Sequence, residues 1–251
     1  MTFGYVYETG KRAENEDAIL FRSSLFAGGE LSFAAVCDGM GGMEKGTEAS
    51  YLCIREMEAW YDRQLVPFIS ACKNQPRNLG AAIKSRGFTL YRQINRTLFE
   101  QMRLKGKMMG TTAVMCVIYK GRYYLFHIGD SRAYFIYKPM GLFLCRQFTK
   151  DHGNEKGLSR CLGLNREWKP DFKTGRIGKR GILLCTDGFW RGFDLAVWKK
   201  CMDPLKLKDE MNIMKRLNEI ADYNMRKGER DNLSAIYLCS ERKRHEKSIM
   251  I

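Results

Sequence analysis

Six short apolar runs, at 31–37 (LSFAAVC), 111–119, 122–128, 132–137, 181–185 and 233–239, stop abruptly at turn-forming residues. Runs of this kind, rich in β-branched and aromatic residues, predict buried strands. Lys120-Gly121 between the second and third is a hairpin signal. Elsewhere the apolar spacing changes to three or four residues, the period of an amphipathic helix. It does so at Ala49, Cys53, Met57, Trp60 and Tyr61 within 46–64, and at Met211, Met214, Leu217, Ile220 and Ala221 within 208–227. The same spacing runs from Leu79 to Met102 within 79–104, with Gly87 as a candidate break. Strands grouped in this way, with helices inserted between the groups, predict an α+β architecture of antiparallel sheets rather than alternating βαβ units.

A chain of 251 residues buries one large core or two small ones. No stretch reaches the roughly 20 apolar residues of a membrane span, and the N-terminus lacks the apolar segment of a secretory signal. The nine cysteines form no C-x-x-C pair, and Cys37, Cys116, Cys185 and Cys239 interrupt apolar runs as buried thiols do. A reducing, cytoplasmic setting is expected. The formal charge is +15, and nine basic residues face one acid, Glu100, between Lys73 and Lys107. Arg242, Lys243, Arg244 and Lys247 add a basic tail at 242–251. Such charge suits an acidic partner, such as nucleic acid or a phosphorylated protein, or else a solvated helix face and a frayed tail. No nucleic-acid-binding motif accompanies it.

The acids fall at the ends of the strand-like runs. Glu16 and Asp17 follow an extended N-terminus, Asp38, Asp130 and Asp187 end three runs, and Asp231 precedes a fourth. Each alone reads as a turn residue, since Asp-Gly after a strand is a common turn pair. Together they would converge on one rim of a sheet assembly. Clustered carboxylates raise one another's pKa unless a cation neutralises them. An all-oxygen set without clustered His or Cys suits Mg²⁺ or Mn²⁺.

RxxNED (12–17), DGMGG (38–42), GTTA (110–113), GDSRAY (129–134), TKDH (149–152), SRCLG (159–163), TDGFW (186–190) and DN (231–232) occur in this order. The set resembles the PPM-type, or type 2C, metal-dependent protein serine/threonine phosphatases, especially their bacterial branch. The resemblance implies a sandwich of two antiparallel β-sheets flanked by helices, with residues 1–241 as the phosphatase domain. It also implies two Mn²⁺ or Mg²⁺ ions. Asp38 would bridge them, the Gly39 carbonyl would bind one, Asp187 and Asp231 would complete the other, and Glu16 would act through water. Two ions about 3.5–4 Å apart can activate a shared water against a phosphoester. Arg12 matches the phosphate-binding arginine, whose fork suits phosphoryl oxygens. Asp17, Thr112, Asp130 and Asn232 would orient ligands and waters around that centre. His152 corresponds to a structural histidine. Met40 stands where many eukaryotic members carry a histidine that protonates the leaving group, so a solvent water is expected to donate that proton.

Two departures from the family stand out. Bacterial members carry a long flap between the DH and LG motifs, whereas here GNEKG (153–157) alone separates Asp151-His152 from LSRCLG. An open cleft follows. The family often carries an aspartate four positions after that of TDG, which with the GDSR aspartate supports a third metal. Position 191 is arginine here, so a third ion at Asp130 is expected to be absent or weak, with Arg191 near that carboxylate or filling the site. The leading function is hydrolysis of phosphoserine and phosphothreonine in proteins modified by a cognate kinase, by a monomeric enzyme. The alternative is a non-catalytic phosphatase fold that senses a partner; such proteins lose metal aspartates, and here Asp38, Asp187 and Asp231 all stand.

Overall fold

The computed structural model describes residues 1–26, 29–40, 44–72, 79–154, 157–166, 169–204, 206–207 and 209–239. The basic tail at 242–251 and residues 73–78 of the basic segment lie outside them.

The chain opens with β1 (Thr2–Glu8), β2 (Asp17–Phe26) and β3 (Gly29–Met40). Helix α1 (Glu44–Trp60) follows, continues through a π turn at Tyr61–Leu65, and passes into α2 (Val66–Ala71). Helix α3 (Leu79–Lys105) leads into β4 (Gly110–Thr111), β5 (Ala113–Tyr119), β6 (Arg122–Ile128) and β7 (Arg132–Tyr137). Next come β8 (Leu144–Gln147), β9 (Gly153–Asn154), β10 (Gly157–Leu158), β11 (Asp171–Arg176) and β12 (Gly181–Cys185). Short helices α4 (Asp187–Trp190) and α5 (Leu195–Cys201), then α6 (Glu210–Arg226) and β13 (Leu233–Cys239), complete the described elements.

One sheet has the order β1-β13-β12-β7-β8 and the other β11-β6-β5-β3-β2, all pairs antiparallel. Central strands bury both faces, which is why they read as unbroken apolar runs. In β3, Leu31, Phe33, Ala35 and Cys37 face α1 and α3, while Ala34 and Val36 face the opposite sheet. Strand β13 does the same, with Ala235 and Tyr237 against α5 and α6 and with Ile236 and Leu238 between the sheets. Period-two alternation thus builds three apolar layers. The architecture is the expected α+β sandwich of two antiparallel sheets flanked by helices.

The Lys120-Gly121 turn takes positive φ at both residues (49° and 70°), as a tight hairpin requires. Gly87 does not break its helix: α3 runs through it, and a Cβ there would lie 2.2 Å from the Phe126 ring. Glycine at 87 is a packing requirement between helix and sheet, so the expected break is corrected. The run at 111–119 is interrupted at Thr112 by hydrogen bonds to Asp38. All nine cysteines are free thiols. No described helix is long and apolar enough to cross a membrane.

Candidate active site

Sheet pairing carries the acids to a shared rim. Cys185 of β12 lies opposite both Ala235 of β13 and Arg132 of β7. Asp187, Asp231 and Asp130, each just beyond or before one of these strands, therefore emerge together from the five-stranded sheet. The six-stranded sheet contributes the rest, because Asp17 lies opposite Asp38 in the β2–β3 ladder. Carboxylate oxygens of Asp38, Asp130 and Asp187 lie within 4.8 Å of one another. They line a concavity of 530 Å³ with Met40, Thr112 and Trp190.

The backbone around Asp38 is tied down from two sides. The Thr112 hydroxyl accepts from the Asp38 amide at 3.0 Å, and the Thr112 amide donates to the Asp38 carbonyl at 2.9 Å. The Gly39 amide donates to the Glu16 carbonyl at 3.1 Å. A Cβ at Gly39 would lie 2.1 Å from the Gly46 carbonyl oxygen, so close approach of β3 to α1 demands glycine there. Gly188 is constrained alike: a Cβ would lie 2.2 Å from the carbonyl oxygen of Asn232. The Asn232 side chain clamps the N-terminal loop. It accepts from the Glu16 amide at 2.9 Å and donates to the carbonyls of Thr9 and Glu14 at 2.8 and 3.0 Å. Buried Asp17 accepts from Thr186 at 2.9 Å, joining the two sheets beneath the rim.

Electrostatics follow from crowding. Burial, then the neighbouring Asp17, Asp187 and Asp130, pushes the Asp38 carboxyl far above its ordinary range. Burial likewise lifts Asp187 to about 6 and Asp17 to about 7. Asp130 and Glu16 also rise, through burial first. Two arginines offset part of this charge. Arg12 donates to Asp231 at 3.0 Å. Arg191 donates to Asp187 and, at 3.3 Å, to Asp231. Arg191 makes its hydrogen bonds to Asp187 and Asp231, and it shares the concavity with Asp130, whose raised pKa its charge offsets in part. Four residues beyond Asp187, it turns back to that carboxylate over the single turn of α4.

These residues fit a divalent cation. Three carboxylate oxygens converge, all ligand atoms are hard oxygens, and the buried Oε1 of Glu16 has no hydrogen-bond partner among the described residues. One flank of the site was not visible in the motifs. Arg132 grips Asp151 through Nε at 3.1 Å and Nη2 at 2.7 Å. Its guanidinium stacks 3.2 Å from the Trp190 ring centroid, and the Trp190 indole donates to the Asp130 carbonyl at 3.0 Å. The charge and planarity of Arg132 in GDSR were the one available signal. His152 is built into the fold, with Nδ1 accepting from the Gly129 amide at 3.1 Å and Nε2 lying 3.2 Å from Asp171. Between the DH and LG motifs β9 pairs antiparallel with β10, and Leu158 of β10 lines the acidic concavity.

The family model of protein phosphatase 2C matches residues 9–235. The chain belongs to the protein phosphatase 2C family. Solved structures of similar fold include the serine/threonine phosphatase Stp1 of Staphylococcus aureus, 19% identical over 96% of each chain with a TM-score of 0.75. A bacterial serine phosphatase is 19% identical over 96% of this chain and 98% of its own, with a TM-score of 0.76. The catalytic domain of the serine/threonine protein phosphatase PstP, solved with two manganese ions, is 24% identical over 94% and 96%, with a TM-score of 0.68. Comparison with curated protein sequences found no significant match. Within the protein phosphatase 2C fold, the matched span contains every acid of the rim.

Proposed function

We propose that this protein phosphatase hydrolyses phosphoserine and phosphothreonine in proteins with a water activated by two Mg²⁺ or Mn²⁺ ions. The observation that carries the reading is the convergence of Asp38, Asp130 and Asp187 within 4.8 Å on a family-typical sheet rim. Bound there, divalent ions would supply Lewis acidity towards water and phosphoryl oxygens. The residues that would hold them are Asp38, the Gly39 carbonyl, Asp187 and Asp231, with Glu16 acting through water. Arg12, half-exposed above Asp231, can swing its free donors to phosphoryl oxygens and offset charge developing on them. Thr112 and Asn232 fix the backbone of Asp38 and Glu16, so that the ligand positions are set before substrate arrives. Met40 cannot donate a proton, which leaves that task to water in the open cleft.

The arginine pairs on Asp187 and Asp231 favour one competing reading, a non-catalytic fold whose cation sites are filled by guanidinium groups. Turnover of a phosphothreonine peptide with Mn²⁺, with and without chelator, separates the two. Metal-dependent release of phosphate supports the phosphatase; no release at any metal concentration supports the binding module.

A further inference from the structure

A second concavity is larger than the one that holds the carboxylates. A groove of 970 Å³ lies between α3 and the segment after β10, lined by cationic side chains from both walls. Arg92, Arg96 and Arg103 follow one another at intervals of four and seven residues, which places them along one stripe of α3. Arg160, Arg166 and Lys169 face them from the other wall. Among the described lining residues Glu100 is the one acid, and Arg96 occupies it at 2.7 Å. Among the described residues, Arg92, Arg103, Arg166 and Lys169 have no carboxylate within ion-pair distance.

The groove is preformed. Buried Asn95 of α3 donates to the carbonyls of Asn165 and Arg166 at 2.8 and 3.1 Å and accepts from the Gly163 amide at 2.9 Å. A simple solvated helix face needs no such clamp across a concavity and no cations on the opposite wall. The groove also lies close to the acidic site along the chain. Leu158 lines the acidic concavity and Arg160 the groove, so Ser159 alone stands between them, and the two positions are at most about 7 Å apart along the chain. Leu162 pairs with Thr111, whose hydroxyl donates to the Asp38 carbonyl at 2.9 Å.

We propose that this groove docks anionic groups, carboxylates or a second phosphate, that flank the phosphorylated residue of a protein substrate. The proposal rests on the phosphatase reading and names its substrate class. Unpaired cations facing one another across a cleft repel, and an anionic segment relieves that repulsion.

The test uses the purified full chain with Mn²⁺ and four substrates: p-nitrophenyl phosphate and three phosphothreonine peptides of equal length. One peptide has neutral flanks, one acidic flanks and one a second phosphoserine. The wild type is expected to favour both anionic peptides about tenfold in kcat/KM, through KM, with the preference shrinking at high salt. The Arg92→Glu/Arg103→Glu variant should lose that preference while changing the neutral peptide and p-nitrophenyl phosphate less than about twofold. The Arg92→Gln/Arg103→Gln variant should fall between. A preference for one anionic peptide alone identifies which group docks. A wild type without preference, or a variant that keeps it, overturns the proposal. So does a single-stranded RNA that binds more tightly than peptides of equal charge and loses binding in the variant, since the groove is then a nucleic-acid site. If no substrate turns over at all, the phosphatase reading fails. Fluorescence anisotropy of the acidic peptide, wild type against variant, then decides the groove by itself.

Discussion

Arg191 stands one helical turn beyond Asp187 and donates to its carboxylate. A second bond reaches Asp231 at 3.3 Å, so one guanidinium spans two of the residues assigned to a single metal.

Removing that guanidinium should strengthen divalent binding. A half-exposed pair of this kind contributes on the order of 1 kcal/mol, and release of both carboxylates should tighten Mn²⁺ binding about five- to tenfold. Calorimetric titration of Arg191→Ala checks this; unchanged or weaker binding contradicts it. Arg191→Asp should in addition admit an ion at Asp130, giving three sites in a crystal soaked with Mn²⁺ where the unmodified protein gives two. A well-occupied ion on Asp130 in the unmodified protein would defeat the argument.

Arg12 couples the N-terminal loop to Asp231 while half of its side chain faces solvent. Arg12→Ala should raise KM for a phosphoester about tenfold or more, because a charged hydrogen bond to phosphate contributes about 1.5–3 kcal/mol. The maximal rate should fall less, since the carboxylate set is intact. Steady-state kinetics at saturating Mn²⁺ would reveal it. An unchanged KM removes Arg12 from the substrate site.

The strands readable in the sequence are those with two buried faces. β3, β5, β6, β7, β12 and β13 appear as apolar runs because each residue meets either helices or the other sheet. The edge strands were faint or invisible. β11 (DFKTGR) and β2 (DAILFRSSLF) carry solvated residues along much of their length. The four-residue helix α4 is too short for a periodicity to emerge. At the rim, the acids could be read from their positions at strand ends. Their partners could not, because Arg12 meets Asp231 across 219 residues of chain. The bonds of Arg191 to Asp187 and Asp231 were likewise not readable, since a motif does not contain the direction of a side chain.

His127 provides a pH test away from the rim. The residue is 1% exposed, and its ring centroid lies 4.8 Å from that of His152. Burial, then His152, lowers its pKa to about 4, against the weaker pull of the Ser131 backbone, Asp171 and Asp151. A histidine with a depressed folded pKa binds its proton more tightly when unfolded. Its contribution is therefore complete above about pH 6.5 and is lost as pH falls towards 4. Urea unfolding at pH 7.5 and 5 should show wild type losing up to about 2 kcal/mol more than His127→Phe over that interval. Equal losses would show that His127 does not set the acid sensitivity.

On the proposed reading, Asp38 anchors the ions that make this sheet rim catalytic. The most direct measurement is phosphate release from a phosphothreonine peptide during Mn²⁺ titration, with bound metal counted in the same samples, for wild type and Asp38→Asn. The wild type should be silent in chelator, bind two Mn²⁺ ions and turn over in step with their binding. Asp38→Asn should stay folded, bind fewer ions and lose about three orders of magnitude in rate, roughly 4 kcal/mol of transition-state stabilisation. Full activity in chelator, or an Asp38→Asn variant with near wild-type rate and metal content, would contradict the account.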